Sequence, residues 1–266
     1  MVDIGVNLIS SQYNGYHQTI FDHAYDAGLH GIIGISNGEN ECYQNMELLE
    51  KFKDHKLKLW VTIGVHPHNA KNVKDFDKME KLYSDKRVVA IGECGLDYNR
   101  MFSSKQTQIE VFKRHLEFYK KYSKPLYLHD RDATDDMLMI LETFMKENKI
   151  DKLIGVVHCF TSKREVMERY IKLGLYIGIT GWICDKRRNS DLVESVKVLP
   201  LELLLVETDS PFLTPPEYGN KWKTRRNQPD SLEFVVNEIA LIKKVSTDAV
   251  WNATMANTKK LFGIEF

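Results

Sequence analysis

VVAIGECGLDY, residues 88–98, is an apolar run that leads directly into a glutamate, and this junction decides how the chain folds. An ionised carboxylate is rarely buried without a partner, because removing it from water costs more than packing returns. Two readings of Glu93 are open. Either the strand stops there and the carboxylate meets water, or the strand delivers it to a positively charged partner.

The pattern of a short apolar run, a polar loop and a longer helical segment recurs along the chain. The runs predict strands at residues 2–8, 31–35, 59–64, 88–93, 125–129, 153–158, 175–179 and 203–207. Spacing of apolar residues near 3.6 predicts helices at residues 16–27, 41–54, 74–84, 104–122, 133–148, 162–173, 189–197 and 230–245. Strands that alternate with helices indicate a parallel sheet covered on both faces.

Eight such units predict an α/β chain closed into a (β/α)8 TIM barrel. The length of 266 residues suits one large domain over residues 1–266. A doubly wound open sheet is the structural alternative, but the glycine-rich phosphate loop of that fold is missing after the first strand.

Composition narrows the function class. Hydrophobic residues make up 43% of the chain, which supports a sizeable core, and the formal net charge is zero, so any site for a polyanion must be local. No apolar stretch approaches the ~20 residues of a membrane span, and the N-terminus lacks a signal-peptide pattern. The four widely spaced cysteines predict reduced thiols in a cytoplasmic or nuclear protein. We also expect the protein to be a monomer.

Side chains able to bind metal follow several of the predicted strands. They are His66 and His68 after the third strand, Glu93, His129 and His158 at the ends of the next three, and Glu207 and Asp209 after the eighth. Catalytic groups of TIM barrels lie on the face where the strands end, contributed by several strands. Carboxylates and imidazoles that converge there indicate a metal site.

Alternation of side chains along a strand refines this set. If Glu93 and His158 point into the barrel mouth, then Cys94 and Cys159 point away and pack. Glu207 and Asp209 have the same parity, so the pattern does not choose between them. His66 and His68 share a face if their segment is extended.

At this level of detail the chain resembles the TatD-type metal-dependent deoxyribonucleases along its whole length. The matching stretches are DIGVNL (3–8), GVHPH (64–68), VAIGECGLDYNR (89–100), LHDRDA (128–133), VVHCFT (156–161), YIGITGWICD (176–185), ETDSPFL (207–213), RRNQP (225–229) and NTKKLFGIEF (257–266). The resemblance implies a TIM barrel of the amidohydrolase-like kind. It also implies hydrolysis of DNA phosphodiester bonds with a divalent metal, by an exonuclease that favours single strands or ends.

The resemblance implies that Glu93, His129, His158 and Asp209 bind the metal. Glu93 and Asp209 are then the catalytic pair, with Asp209 as proton acceptor beside the attacking water. We expect Mg to be the functional ion, with Zn or Mn possible in the same site. Asp97 and Asp132 are candidates for orienting the imidazoles.

One departure from the family pattern concerns the first strand. Most relatives carry Asp-x-His-x-His there, which supplies two further ligands, whereas this chain has Asp3, Gly5 and Asn7. The typical bacterial TatD protein shares this version. With four good ligands left, we expect one ion to bind firmly and a second only weakly or with substrate.

The substrate side is predicted from the loops. His66 and His68 are assigned to phosphate contact or to protonation of the leaving group. Arg225 and Arg226, in a basic loop after the eighth strand, are assigned to DNA. Lys186, Arg187, Arg188, Lys221 and Lys223 are placed near the same mouth, where Trp182, Trp222 and Tyr98 are available for base stacking.

Two other functions are open at this point. A metal-dependent amidase or lactonase fits the barrel and the ligand types, but the basic loops disfavour it. A noncatalytic scaffold that has lost the first-strand ligands is disfavoured by the retention of Glu93, His129, His158 and Asp209.

Overall fold

Parallel strands, adjacent in the sheet in the same order as in the chain, form the centre of the molecule. The computed structural model describes residues 1–223 and 225–266. Within them the eight strands follow the order β1 to β8. Their bounds are β1 (Val2–Val6), β2 (Gly31–Gly34), β3 (Lys58–Ile63), β4 (Val88–Asp97), β5 (Leu126–Arg131), β6 (Gly155–Val157), β7 (Tyr176–Ile179) and β8 (Leu204–Val206).

The sheet closes between β1 and the segment that follows β8. Val6 forms a parallel bridge with Ser210. The Asn7 N–H donates to the Ser210 carbonyl at 2.8 Å, and the Asp209 N–H donates to the Gly5 carbonyl at 2.9 Å. The predicted TIM barrel is therefore confirmed, and the open doubly wound sheet is wrong.

Helices cover the outside of the barrel. In the described residues they are α1 (His17–Asp26), α2 (Glu39–Lys51), α3 (Phe76–Glu80), α4 (Lys105–Tyr122), α5 (Thr134–Asn148), α6 (Arg164–Lys172), α7 (Ser190–Val198), α8 (Pro216–Trp222), α9 (Leu232–Lys243) and α10 (Thr247–Phe262). The sequence patterns missed α8 and α10. Among these described residues, no helix has the length and apolar character needed to cross a membrane.

The core divides into two clusters, as expected for strands whose alternate residues face opposite ways. The larger cluster lies between the sheet and the helices. The smaller one gathers inward residues such as Ile4, Ile33 and Leu205 and includes Leu261 and Phe262 at the end of α10. The C-terminal segment thus packs with the barrel interior, leaving the face where the strands end for the site.

The stretch at residues 88–98 differs from the strand predicted for it. β4 does not end at residue 93 but continues to Asp97 and stays paired with β5 as far as Arg131. Gly92 is aligned with Tyr127 and Cys94 with Leu128, so Glu93 is an extra residue between two consecutive partners. This is a β-bulge, a device that redirects one side chain without ending the strand.

Candidate functional site

A cavity of about 420 Å³ opens where the strands end. Its walls include Glu93, His129, His158 and Asp209, the four residues predicted as metal ligands. His66 and His68 line the same cavity. The structure therefore brings together side chains from β4, β5 and the segments that follow β3, β6 and β8.

The bulge places Glu93 at the base of this cavity. Gly92 has φ +144°, and a Cβ there would collide with the Tyr127 carbonyl, so the approach of β4 to β5 requires glycine. The Glu93 N–H is turned away from the ladder and donates to the Ser36 carbonyl at 3.2 Å. With only 4% of Glu93 exposed, the reading in which its carboxylate simply meets water is wrong.

Three imidazoles surround one oxygen of that carboxylate. Glu93 Oε1 lies 2.7 Å from His158 Nε2, 2.9 Å from His129 Nδ1 and 3.5 Å from His66 Nε2. Nitrogen ligands thus converge on the carboxylate from three directions.

The charges in this cluster are strongly coupled. Burial alone would raise the pKa of Glu93, but the charge of His158 and the hydrogen bonds from His129 and His158 outweigh it and hold the pKa well below its usual range. Burial would lower the pKa of both His129 and His158. The neighbouring carboxylates reverse this, raising the pKa of His129 to about 9 and that of His158 well above its ordinary value. Without a cation, protons on the imidazoles balance the buried negative charge.

Asp97 is a second carboxylate that holds the imidazoles in place. Its Oδ2 lies 2.9 Å from His68 Nε2 and 3.2 Å from His129 Nε2. Its backbone N–H donates to Gln108 Oε1 on α4. Asp97 therefore has the orienting position expected from the sequence. Asp132 does not, because its side chain is exposed and accepts a hydrogen bond from Asn99 instead.

Glu207 lies beneath the cavity and is fully buried. It accepts hydrogen bonds from the Tyr127 hydroxyl and the Cys159 N–H, both at 2.5 Å, and its Oε2 is 3.4 Å from His158 Nδ1. It orients the His158 ring from the side away from Glu93. Glu207 and Asp209 have the same parity in the sequence. Alternation therefore does not show that Glu207 lies beneath the cavity whereas Asp209 lines it.

Asp209 lines the cavity itself and is held by Asn7. The Asn7 amide donates to Asp209 Oδ1 at 2.8 Å, and its oxygen accepts from the Asn37 amide at 2.9 Å. Desolvation, reinforced by the charges of Glu93 and Glu207, raises the pKa of Asp209 to about 7. Both ends of the Asn7 amide are thus used within the protein, so Asn7 positions Asp209.

The departure at Gly5 has a steric cause. A Cβ on Gly5 would collide with the Glu207 carboxylate and the Tyr127 hydroxyl. The hydrogen-bonded pair of Glu207 and Tyr127 occupies the space into which a first-strand histidine would project. Any side chain at residue 5 therefore competes with the group that orients His158.

The segment with His66 and His68 is not extended. It enters a 3-10 helix, Pro67–Asn72, and the His66 ring nitrogen Nδ1 accepts from the His68 N–H at 3.0 Å. Both rings still reach the cavity, with centres 4.3 Å apart. Desolvation lowers the pKa of His66 to about 3, which keeps this ring neutral. The sequence assigned His66 to substrate, yet its position beside Glu93 also suits a ligand.

The donor set fits a divalent cation. In the described residues, two groups of three ligand atoms lie within 4.8 Å of one another, one from His66, Glu93 and His129 and the other from His66, His68 and Asp97. His158 touches the same oxygen of Glu93. Carboxylate oxygen and imidazole nitrogen are the ligands of catalytic Zn sites, and oxygen ligands also serve Mg and Mn.

The rim of the cavity carries cationic and aromatic side chains. Arg100, Arg131, Trp182 and Phe212 line it, together with Leu213. The guanidinium carbon of Arg188 lies 3.7 Å from the Trp182 ring centre, and that of Arg131 lies 5.8 Å away. Sequence reasoning named Trp182 but missed Arg100 and Arg131, although both belong to the quoted motifs at residues 89–100 and 128–133.

The other predicted substrate residues lie farther out. The described part of this cavity wall does not include Arg225, Arg226, Trp222 or Tyr98. Arg225 lines a neighbouring groove. The Arg226 side chain donates to the Gln12 carbonyl and lies over the Tyr16 ring.

Comparison with known proteins places this geometry in a family. Residues 2–263 match the model of the TatD related DNases. The proteins of Shigella flexneri and Escherichia coli K12 named 3'-5' ssDNA/RNA exonuclease TatD are each 40% identical over 271 residues, covering 100% of this chain and of the relative. The chain belongs to the TatD-related DNase family.

Solved structures agree with this family membership. A TatD family hydrolase of Entamoeba histolytica superposes with a TM-score of 0.86 at 28% identity, covering 98% of this chain and 97% of the other. The phosphotriesterase homology protein of Escherichia coli, at 13% identity and a TM-score of 0.68 over 98% of each chain, shares the fold.

The steric conflict at residue 5 makes a stability prediction. Gly5→Ala should lower the free energy of unfolding by about 1–3 kcal/mol, the usual cost of inserting a methyl group into a packed core. Tyr127→Phe, which removes the opposing hydroxyl, should cost less stability in the Gly5→Ala protein than in the wild type. Urea unfolding followed by circular dichroism measures both.

Gly38→Ala is the matched control, because Gly38 has extended backbone with φ −174° and its Cβ would meet Asn69 only at 3.5 Å. A Gly5→Ala protein as stable as this control would contradict the steric account of the first strand.

Proposed function

We propose that this chain is a divalent-metal-dependent 3′-5′ exonuclease of single-stranded DNA, with single-stranded RNA as a further substrate. The observation that carries the proposal is the Glu93 carboxylate at the base of an open cavity, contacted by His129 and His158. Membership of the TatD-related DNase family and the exonuclease activity for which the 40% identical relatives are named support it.

Glu93, His129, His158 and Asp209 would hold the cation, with His66 beside them. The cation supplies activation of a water molecule and neutralisation of phosphoryl charge. Asp97 and Glu207 fix the rings of His129 and His158, and such orienting partners typically account for 10–100-fold in affinity or activity.

Asp209 is proposed as the acceptor of the water proton. It lines the cavity, and the hydrogen bond from Asn7 holds its carboxylate in one orientation. A pKa raised to about 7 gives the metal-free carboxyl a basicity near neutral pH, and direct ligation would lower it. Asp209 would therefore serve as the stronger base where Glu93, His129 and His158 carry most of the binding of the cation.

Groups on the rim suit the rest of the nucleotide. Arg100 and Arg131 present guanidinium groups to phosphate oxygens, and Trp182 offers a face on which a base stacks. His68, held by Asp97, is placed to contact phosphate or to protonate the leaving oxygen. A cavity of about 420 Å³ suits the end of one strand better than an intact duplex.

The proposal extends to the ion and to the state of the protein. Mg is the proposed functional ion, because hydrated, oxygen-rich coordination is available from carboxylates and phosphate, with Zn or Mn as substitutes. Residues 1–266 are proposed as one domain of a monomer acting in the cytoplasm or the nucleus. The four cysteines are free, which accords with a reducing compartment.

Hydrolysis should require added metal. Purified protein incubated with 5′-labelled single-stranded DNA should shorten it from the 3′ end with Mg, Mn or Zn and leave it intact in EDTA, with activity restored by excess metal. Gel electrophoresis of the products gives both rate and polarity. Full activity after exhaustive chelation would rule out the metal mechanism. Hydrolysis that leaves the 3′ end intact would contradict the proposed 3′-5′ polarity.

Glu93→Gln should lower kcat by more than about 100-fold and weaken metal binding, since it removes the charge on which the imidazoles converge. Asp132→Asn is the matched control, because Asp132 lies one strand away with an exposed side chain. Circular dichroism should show both variants folded. Wild-type turnover in Glu93→Gln would show that the carboxylate has no part in catalysis.

Metal titration by calorimetry should show one firm site in the substrate-free protein and a second that is weak. At neutral pH the first binding event should release protons, because the pKa of His129 is raised to about 9 and these protons must leave for an ion to bind. Affinity should therefore rise from pH 6 to pH 8, and the binding enthalpy should vary with the buffer. Two tight sites of similar affinity would contradict this expectation.

A further inference from the structure

We propose that a groove next to the cavity that contains Glu93, here called the metal cavity, also binds the single-stranded substrate. It would hold the sugar–phosphate backbone on the 5′ side of the terminal nucleotides. This inference rests on the exonuclease function proposed above and extends it to substrate length. The groove lies between the segments that follow β7 and β8 and has a volume of about 690 Å³.

The groove is lined by more cationic than anionic side chains. Lys186, Arg187, Lys223 and Arg225 face it, against Asp185 and Glu217. Arg187 is paired with Asp185 at 2.7 Å. In the described residues, no carboxylate lies within 4.0 Å of the charged nitrogens of Lys186, Lys223 or Arg225. Three cations of the groove are therefore available to phosphates.

Two direct connections join this groove to the metal cavity. Trp182 lines the cavity, Arg188 stacks on its ring at 3.7 Å, and Arg188 Nε is held at 2.9 Å by Asp185, which lines the groove. On the other side, Leu213 lines the cavity and the next residue, Thr214, lines the groove. A single strand of nucleic acid can pass from the metal cavity to the groove along the surface that these residues form.

The opposite side of the cavity has the opposite charge. Asn69 lines both the cavity and a smaller groove of about 250 Å³, whose walls carry Glu39 and Glu41 against one cation, Lys74, among the described residues. A polyanion that leaves the cavity meets carboxylates on this side and free cations on the other. Electrostatics therefore selects the groove after β7 and β8 for the rest of the strand.

The proposed contact of Arg225 with phosphate depends on its side chain alone. Its carbonyl accepts a hydrogen bond from the Thr214 hydroxyl at 2.7 Å, which joins two parts of the segment that follows β8. Substitution by alanine keeps this backbone contact and removes only the guanidinium. Lys186 is exposed, so its truncation likewise leaves the packing intact.

The test uses the metal-loaded protein and labelled thymidine oligonucleotides of 2, 4, 8 and 12 nucleotides. For the wild type, kcat/KM should rise with length from the dinucleotide to the 12-mer. The double variant Lys186→Ala with Arg225→Ala should hydrolyse the dinucleotide at the wild-type rate and the 12-mer about tenfold more slowly, mainly through KM. Lys74→Ala, in the acidic groove, is the matched control for Lys186→Ala and should keep the wild-type length dependence.

Binding of the labelled 12-mer in EDTA, measured by fluorescence anisotropy, tests the groove without hydrolysis. The double variant should bind more weakly, and the slope of log K against log salt should fall by about 1.4, since each phosphate contact on a single strand contributes about 0.7.

The outcomes separate the two proposals. A wild type that hydrolyses none of the oligonucleotides overturns the exonuclease function, while the binding measurement still decides the groove. A length dependence and a salt slope that are equal in the wild type and the double variant overturn the groove and leave the exonuclease intact. An equal loss in Lys74→Ala also overturns the groove, because the effect would then be one of general charge.

Discussion

The negative charge of Glu93, buried at a bulge in the middle of β4, is the constraint on which the rest of the site depends. A carboxylate that is 4% exposed needs compensating positive charge, which His129 and His158 supply from β5 and from the segment after β6. The neutral ring of His66 lies 3.5 Å from the same oxygen. Those imidazoles need orientation in turn, which Asp97 and Glu207 provide. Each layer satisfies the charge or hydrogen-bonding demand of the one inside it.

The same logic accounts for the first strand. Glu207 orients His158 from below, and its partner Tyr127 fills the remaining space, which leaves room at residue 5 for glycine alone. Asn7 then faces Asp209 and is held by Asn37. The proposed metal ligands therefore come from the β4 to β8 side of the mouth, whereas the segments after β1 and β2 contribute neutral amides. This chain has a hydrogen-bonded support at the positions where the Asp-x-His-x-His pattern would supply metal ligands.

Much of this arrangement was predictable from the sequence, because the evidence was local. Eight short apolar runs, separated by segments with helical spacing, give the barrel, and the ends of these runs give Glu93, His129 and His158. The bulge was not predictable from alternation, since one inserted residue breaks the parity on which that argument rests. Gly92 and Gly95, unusual inside a buried strand, were the signal available. The depths of Glu207 and Asp209, the 3-10 turn at His66 and the helices α8 and α10 depend on tertiary contacts that sequence spacing does not record.

A protein with no net charge that binds a polyanion must concentrate its cations where the polyanion lies. The mouth of this barrel does so with few groups. Asp185 holds Arg188 against Trp182, which turns a flexible cation and an aromatic ring into one fixed surface between the two cavities. Few phosphate contacts imply a modest salt dependence and weak attraction to duplex DNA, whose binding grows with the number of contacts. Selectivity for the end of a nucleic-acid strand then follows from the depth of Glu93 in the cavity. Only a terminus, or a strand free to bend, brings a phosphodiester to Glu93 at the base of the cavity while its backbone remains on the cationic rim.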